Sequence, residues 1–401
     1  MPSPDPSPSP NPPAGILRIA LAVEQFWPYA DTTARVIGDW ANQLRQRGHF
    51  VRIVTTRWGR DWPDRFEYRQ IPVDRIARMG TGNWSGFRCG REFSRYFAQH
   101  QWDATVLTGL GPITQAILKG APDATRRLIY VNRPLLGEPM PTTLRRRITE
   151  WIDRTCGLIT DCPVVANELR SSIQPGQIHD IGMGTEIKPV SRTLAVQSAA
   201  RAALSEAHPV MAIDAGQPLV VTGIELVRDS GVLDLIHAWS QVVRRIPRAR
   251  LWILGDGPLG PVLWRRIQEL DLTHSVILPG YFDDDREIFL AADLYVHPAR
   301  QPDASHGLIR ALEAQTSIIA TRTDWTESFL NDGDSAWLVP LEDPLRLALA
   351  IEEGLAQGDY RFRLARRARD IAVEHFDVSQ QIDKMLRLLE IPLDETCEPA
   401  T

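Results

Sequence analysis

The sequence predicts an α/β protein made of two doubly wound parallel-sheet domains. Three observations predict it. The chain has 401 residues, beyond the size at which a single hydrophobic core usually stops growing. A strand–helix–strand unit opens its ordered part, and a second alternation of strands and helices begins afresh near Gln217. In the first unit, ILRIALAVE is a short apolar strand, followed by a polar loop carrying Phe26, Trp27, Pro28 and Tyr29 and a helical stretch from about Thr33 to Arg47. Gly48 ends that helix and VRIVTTRW follows, so the two strands are joined by a crossover helix and pair in parallel. ATVLTG, RLIYVN and GLITDC add further strands, and the first domain is read over residues 15–187.

The second domain is read over residues 216–375. PLVVTGIEL, RLWILGDG, SVILPGYF, LYVHPA, SIIATRT and AWLVP are its strands, and VLDLIHAWSQVVRRI and VLWRRIQEL are its first helices. Residues 188–215 are rich in small side chains and read as a linker with a short helix. VSQQIDKMLRLLE, within residues 376–391, is expected to cross back to the first domain. Residues 1–14, MPSPDPSPSPNPPA, alternate proline with small polar residues and lack the basic start and apolar middle of a signal peptide. They read as a disordered tail, as do residues 392–401. Two such Rossmann-like domains in tandem predict a cleft at the carboxyl ends of their strands, where open α/β sheets bind ligands.

Composition removes several classes. A hydrophobic fraction of 43% with 24% charged residues is that of a soluble chain. The net charge of −5 argues against nucleic-acid binding, and no run is apolar for long enough to cross a membrane. The expectation is a cytoplasmic protein whose membrane contact, if any, is peripheral, at the inner face, through Arg145 to Arg147 and Arg154. The same run also reads as a solvated helix face. Cys89, Cys156, Cys162 and Cys397 have no metal-ligand spacing and read as thiols of a reducing compartment.

Motif order carries a further reading. LWILGDGP, VILPGYFDDDREIFLAADLYVHPAR and SIIATRTDWTESFLNDGDSAWLVPLEDP follow one another in the second half, with IGMGTE and RGHFVRIVTT upstream. In this order they resemble the blocks of the retaining family-4 glycosyltransferases, which have the GT-B fold. The lipopolysaccharide-core glucosyltransferases are the most similar members, through RGHFVRIVTTRW and HPARQ. The resemblance implies transfer of a sugar from a nucleotide-diphosphate donor to a glycan or lipid-linked acceptor with retention, without a metal or other cofactor. The donor would lie on the second domain and the acceptor on the first. Negative charge develops on the leaving diphosphate, so the site needs cations or N–H donors there.

Carried onto this sequence, the resemblance places the donor against Asp31, Thr32, Arg228, Ser230, Gly255, Gly257, Tyr281, Phe282, Arg310 and Glu313, and the reaction centre at Arg310, Glu313 and Asn132. The chain departs from the family at decisive positions. In IELVRDSG, Glu225 stands where the family has its phosphate-binding Arg and Ser230 where it has Lys. A carboxylate there repels a diphosphate by on the order of a kcal/mol. Arg228 and Arg310 are the candidate replacements, since a guanidinium grips phosphate oxygens bidentately; Arg228 also reads as an ordinary surface arginine.

The paired-glutamate positions hold Pro302 and Arg310, while Asp303 and Glu313 stand in other registers. Glu313 reads either as a ribose contact or as a solvated or capping carboxylate. Asp31 and Thr32, ahead of Arg35, replace a glycine pair and fill space that glycine leaves open. Asn132 and Arg133 are the polar candidates where the family has a histidine. Asp283, Asp284 and Asp285 read as helix-opening acids rather than a metal-binding triplet. Gly255-Asp256-Gly257 reads as a strand-to-helix turn, and Trp58, Trp62 and Trp84 as packing residues more than sugar-stacking ones. The expected function is thus a glycosyltransferase. The alternatives are a catalytically impaired homologue that binds a glycan, nucleotide or partner, and a nucleotide-sugar epimerase of the same fold.

Overall fold

The computed structural model describes residues 15–390 apart from 29–31, 60, 79–84, 110, 121–125, 132–145, 147–148, 153–154, 161–162, 171–172, 189–190, 215, 283 and 301–304. The chain divides into two compact units, residues 1–184 with 378–401, and residues 185–377.

The first unit runs β1 (Arg18–Ala22), α1 (Thr32–Gln46), β2 (Phe50–Arg57), β3 (Arg65–Tyr68), β4 (Ile71–Arg78), α2 (Ser85–Gln99), β5 (Ala104–Thr108), α3 (Pro112–Gly120), β6 (Arg126–Tyr130), β7 (Gly157–Thr160), α4 (Pro163–Arg170) and β8 (Ile178–Asp180). The sheet order is β3-β4-β2-β1-β5-β6-β7-β8. All neighbours pair in parallel except β3 and β4. α1 forms because its apolar positions recur at helical spacing, and Ile37, Trp40, Ala41 and Leu44 are buried along one face.

The β3–β4 hairpin and α2 were not expected from the sequence. β4, IPVDRIAR, interrupts its apolar alternation with Asp74 and Arg75, and both are buried. Asp74 is paired with Arg52 at 2.9 Å and accepts from Tyr96 Oη at 2.5 Å. Arg75 lies over the Phe66 and Trp62 rings, 4.1 and 4.8 Å from their centroids. The turn uses Arg69 and Gln70 at φ of 49° and 63°, without the Asn or Gly that announces such turns.

The second unit runs α5 (Leu194–Ala207), β9 (Leu219–Gly223), α6 (Val232–Arg245), β10 (Arg250–Leu254), α7 (Gly260–Glu269), β11 (Val276–Gly280), α8 (Arg286–Ala291), β12 (Leu294–His297), α9 (His306–Glu313), β13 (Ser317–Thr321), α10 (Asp324–Glu327), β14 (Trp337–Val339), α11 (Pro344–Ala356) and α12 (Gly358–His375). Its strands are all parallel in the order β11-β10-β9-β12-β13-β14, so chain direction across the sheet reverses between β9 and β12. α5 lies in the stretch read from sequence as linker. Its N-cap Thr193 accepts from Val196 N, and Gln197 and Arg201 bond the carbonyls that end α8. α13 (Val378–Glu390) belongs to the first unit, where Arg47 pairs with Asp383 at 2.6 Å and Gln381 accepts from Gly182 N at 3.0 Å.

The second core lies on one face of this sheet, around Leu235, Trp239, Val242, Leu251, Ile253, Leu263 and Ile351. Trp239 is fully enclosed there and donates its indole N–H to Ser275 Oγ at 3.2 Å. Trp239→Ala is expected to destabilise the second unit by about 3–5 kcal/mol through the cavity it leaves. Urea unfolding followed by circular dichroism checks this, and a loss under about 1 kcal/mol would mean the site is not closed by packing.

Candidate ligand site at the switch point of the second sheet

In an open α/β sheet the ligand crevice lies beyond the carboxyl ends of the strands where their order reverses, here β9 and β12. Gly223 O, at the end of β9, accepts from Tyr295 Oη and from Ser305 Oγ, each at 3.0 Å. A Cβ on Gly307 would stand 2.2 Å from Gly223 O and 2.8 Å from Tyr295 Oη, so only glycine lets α9 seat on that strand end. Ser305 is the N-cap residue of α9 yet makes no side-chain cap bond, because its hydroxyl is committed to β9. α6 also starts without a side-chain cap. Its N-cap Gly231 is left-handed at φ 69°, and a Cβ there would meet Pro298 O at 1.7 Å. Two helix N-termini without side-chain caps therefore begin at the reversal point, each with first-turn N–H groups that the helix itself does not use and the positive end of a dipole.

The residues named from sequence fall as follows. Arg228 and Ser230 form the short 3-10 turn between β9 and α6. Arg228 is exposed, while Ser230 is buried with a hydroxyl that has no partner. Glu225 is half-buried just after β9. Gly255 and Gly257 lie in the β10–α7 turn, packed so closely on the β9 loop that a Cβ would stand 2.1 Å from Ile224 O and 2.5 Å from Leu226 O. Leu226 N donates to Asp256 O at 3.0 Å, which joins the two loops into one wall. Tyr281, exposed, and Phe282 follow β11, and the Phe282 ring meets His208 edge-on at 5.3 Å. Thr32 opens α1 in the first unit and is half-buried. Asn132 and Asp31 lie outside the described residues, as do Arg133, Pro302, Asp303, Asp283, Trp84 and all of the basic run except Arg146.

Arg310 and Glu313 are brought together, but not as an open ligand-facing pair. Glu313 is 1% exposed, with Oε2 3.5 Å from Arg310 Nη1 and Oε1 3.4 Å from Arg286 Nε. It is neither solvated nor a cap, because a buried carboxylate needs paired charge, and two guanidiniums supply it. Arg310 further donates to Asp285 Oδ1 at 3.0 Å and to Thr185 Oγ1 at 3.1 Å. Asp285 therefore holds α9 and does not cap α8, whose Arg286 N is accepted by Asp284 Oδ1 at 3.3 Å.

Two contributors were missed in the sequence. Arg300 grips Asp234 bidentately at 2.8 and 2.8 Å and donates its N–H to Asp229 O at 3.0 Å, tying the β12–α9 loop to the start of α6. The Asp234 hydrogen bonds raise its already high pKa. His297 ends β12, is 1% exposed and stacks edge-on against Trp325 at 5.9 Å. Neither ring nitrogen has a partner, and burial pushes the imidazole pKa down to about 3. The signal for both was HPAR, a histidine at a strand end two residues before an arginine-bearing loop.

Comparison with known proteins agrees with this architecture. Residues 216–357 match the family model described as Glycosyl transferases group 1. The lipopolysaccharide core biosynthesis glycosyltransferase LpsE of Rhizobium meliloti (strain 1021) is 29% identical over 236 residues, covering 57% of this chain and 64% of that protein. The phosphatidyl-myo-inositol mannosyltransferase of Mycobacterium tuberculosis (strain ATCC 25618 / H37Rv) is 26% identical over 215 residues, covering 52% and 55%. The chain thus spans between half and two thirds of the length of these curated relatives. The crystal structure of Anabaena Alr3699/HepE in complex with UDP and glucose superposes with a TM-score of 0.74 at 17% identity, covering 92% of this chain and 99% of that one. The fold is that of the GT-B glycosyltransferases. The segment that matches the group 1 family model lies within the second unit.

His297 gives the site a pH signature. The unfolded chain binds a proton at this ring below about pH 6.5, while the folded chain stays neutral down to about pH 3. Stability of the second unit is therefore expected to fall by about 2 kcal/mol between pH 7 and pH 5 through this residue alone. Urea unfolding of wild type and His297→Leu at both pH values checks it: wild type should lose about 2 kcal/mol relative to the variant on acidification, and a pH-independent difference would rule the effect out.

Proposed function

We propose that the chain transfers a glycosyl residue from a nucleotide-diphosphate sugar to a glycan or lipid-linked acceptor, with retention at the anomeric carbon. The observation that carries this reading is the pair of helix N-termini without side-chain caps, α6 and α9, at the reversal point of the sheet within the segment that matches the group 1 family model. Their backbone N–H groups would take the diphosphate oxygens, where negative charge grows as the glycosidic bond to the leaving group breaks. Exposed Arg228 would add a guanidinium beside α6, and Ser230 a hydroxyl that has no other partner. The loop glycines Gly255 and Gly257 let the β9 and β10 loops close into one wall for the nucleotide, with Tyr281 and Phe282 beyond it. Arg310 and Glu313 act in this reading as positioning residues that fix α9.

Diphosphate charge is thus met by N–H and guanidinium groups, with no step routed through a metal. The first unit is assigned the acceptor side, with Asn132 as its polar candidate. Envelope glycan synthesis is supported by the resemblance to LpsE and to the phosphatidyl-myo-inositol mannosyltransferase. Among the described residues no helix is long and apolar enough to cross a membrane.

A panel of UDP-, GDP- and ADP-sugars is expected to yield slow donor hydrolysis, or transfer when lipopolysaccharide-core or phosphoinositide acceptors are added. Proton NMR of the product reports retention through its anomeric coupling. Inertness with every donor and acceptor overturns the reading. It would favour the second one, an impaired homologue that binds nucleotide or glycan, which is motivated by Glu225 at the motif's arginine position.

Glu225 also supplies a sharper test. Removing its repulsion and adding a donor with Glu225→Arg is expected to tighten UDP binding by about tenfold or more, as one charge-assisted hydrogen bond does. Calorimetry reads this directly. Unchanged affinity would place the diphosphate elsewhere.

A further inference from the structure

The opposite end of the same sheet carries a second cavity. It has a volume of about 480 Å³ and is lined by Gln197, Arg201, Pro218, Asp293, Leu355 and Arg361, among others. Asp293 precedes β12 and its Oδ2 accepts from Leu219 N, the first residue of β9, at 2.8 Å. The cavity therefore sits at the amino ends of the two strands whose carboxyl ends form the switch-point crevice. A strand of this length keeps the two sites about 15 Å apart.

The charge of this cavity is unbalanced. Arg201 is held in the wall through all three nitrogens, with Nε on Ala291 O at 3.0 Å, Nη1 on Gln217 O at 3.0 Å and Nη2 on Asp293 Oδ2 at 2.8 Å. Arg361 is held more loosely, with Nη1 on Gly354 O at 3.4 Å and Nη2 on Asp293 Oδ1 at 3.3 Å. Its Nε–H and one further N–H on each Nη have no acceptor among the described residues. Behind them Arg192 is spent on carbonyls at the ends of α8 and α9 and on Thr316 Oγ1. Asp293 is thus one carboxylate facing three guanidiniums. Burial first, then the neighbouring Arg201, lowers the Arg361 pKa against the pull of Asp293. Burial, with Arg361 and Arg201 opposing Asp293, pushes Arg192 down to about 10. Leaving charge of one sign in a sheltered pocket is costly unless an anion joins it.

We propose that this cavity binds a small phosphorylated metabolite, of about the size of a hexose monophosphate, at a site separate from the switch-point crevice. The volume falls within the range of small-molecule sites, roughly 300–1,000 Å³. The free N–H donors of Arg361 match the bidentate acceptors of a phosphoryl group. Leu355 and Pro218 offer an apolar wall to the rest of the molecule. The proposal does not depend on the activity assigned above.

Isothermal calorimetry of the full chain tests it, with inorganic phosphate, glucose 6-phosphate and malonate as probes and UDP as the control. Glucose 6-phosphate is expected to bind more tightly than inorganic phosphate, and both more tightly than malonate. Arg361→Gln is expected to weaken both phosphates by about tenfold or more. Ser198→Glu, which sets a carboxylate on the exposed rim without touching the Asp293 network, should do the same while folding as wild type does. UDP binding should be unchanged in Ser198→Glu. Absence of phosphate binding by wild type, equal binding in Ser198→Glu, or tighter binding of malonate than of either phosphate would overturn the proposal.

Discussion

The architecture of the second unit depends on one close approach, the seat of α9 on the last carbonyl of β9. Gly223 O takes two hydroxyl donors, from Tyr295 on β12 and Ser305 before α9, and the backbone of Gly307 fills the space beside it. With that contact made, β12 must lie beside β9, and the loop leaving β12 must pass over the start of α6. Arg300 then closes the arrangement by bonding Asp234 and Asp229 O. Packed interiors have little room for adjustment, so a side chain at Gly307 or Gly231 would displace backbone rather than a rotamer. The crevice is in this sense a consequence of missing atoms. Its polar character follows as well, because Ser305 gives its hydroxyl to the strand and leaves α9 without a side-chain cap.

The other end of α9 is fixed by charge. Glu313, Arg310, Arg286 and Asp285 form a mostly buried ion network between α9 and the start of α8. Such networks add little net stability, because desolvation offsets the Coulomb attraction, but removing one partner leaves an uncompensated buried charge. Their effect is therefore geometric. α9 can take one position, and its N-terminus has one direction. Asp293 does the equivalent at the amino ends of β9 and β12, where it accepts from Leu219 N and holds Arg201 and Arg361. With Arg300 on Asp234 at the carboxyl ends, both ends of the strand pair that defines the reversal are pinned by carboxylate–guanidinium contacts.

Much of this was legible in the sequence, and the reasons differ by element. The two sheets were readable because their central strands, such as LVVTG and RLWIL, are buried on both faces and appear as unbroken apolar runs. The β3–β4 hairpin was not, since Asp74 and Arg75 break the alternation and are buried only through partners distant in the chain. Position along the chain also located Gly255, Gly257, Arg228 and Ser230 on neighbouring loops. What spacing could not supply was direction. Glu313 lies one helical turn from Arg310, which says that they share a side of α9 but not that Arg286 closes over the carboxylate. His297 had no readable signal beyond its place at a strand end, because its character comes from complete enclosure against Trp325.

The proposed donor site can be weighed on electrostatic grounds. Each helix N-terminus carries the equivalent of about half a positive charge. Arg228 adds one unit, Glu225 removes one, and Asp229 and Asp256 on the same loops are also acidic, so the fixed positive charge near the crevice is no greater than that of the two helix ends. A diphosphate brings more negative charge than this, and long-range attraction cannot hold it tightly. Short-range bonds can, because an N–H aimed at an oxyanion in a sheltered crevice acts at full strength while the field of a surface cation is screened within a Debye length of about 8 Å. A site built in this way depends on the placement of α6 and α9 more than on the number of its cations. In the proposed reading, that placement is set by Gly231, Gly307 and the ion network that fixes α9.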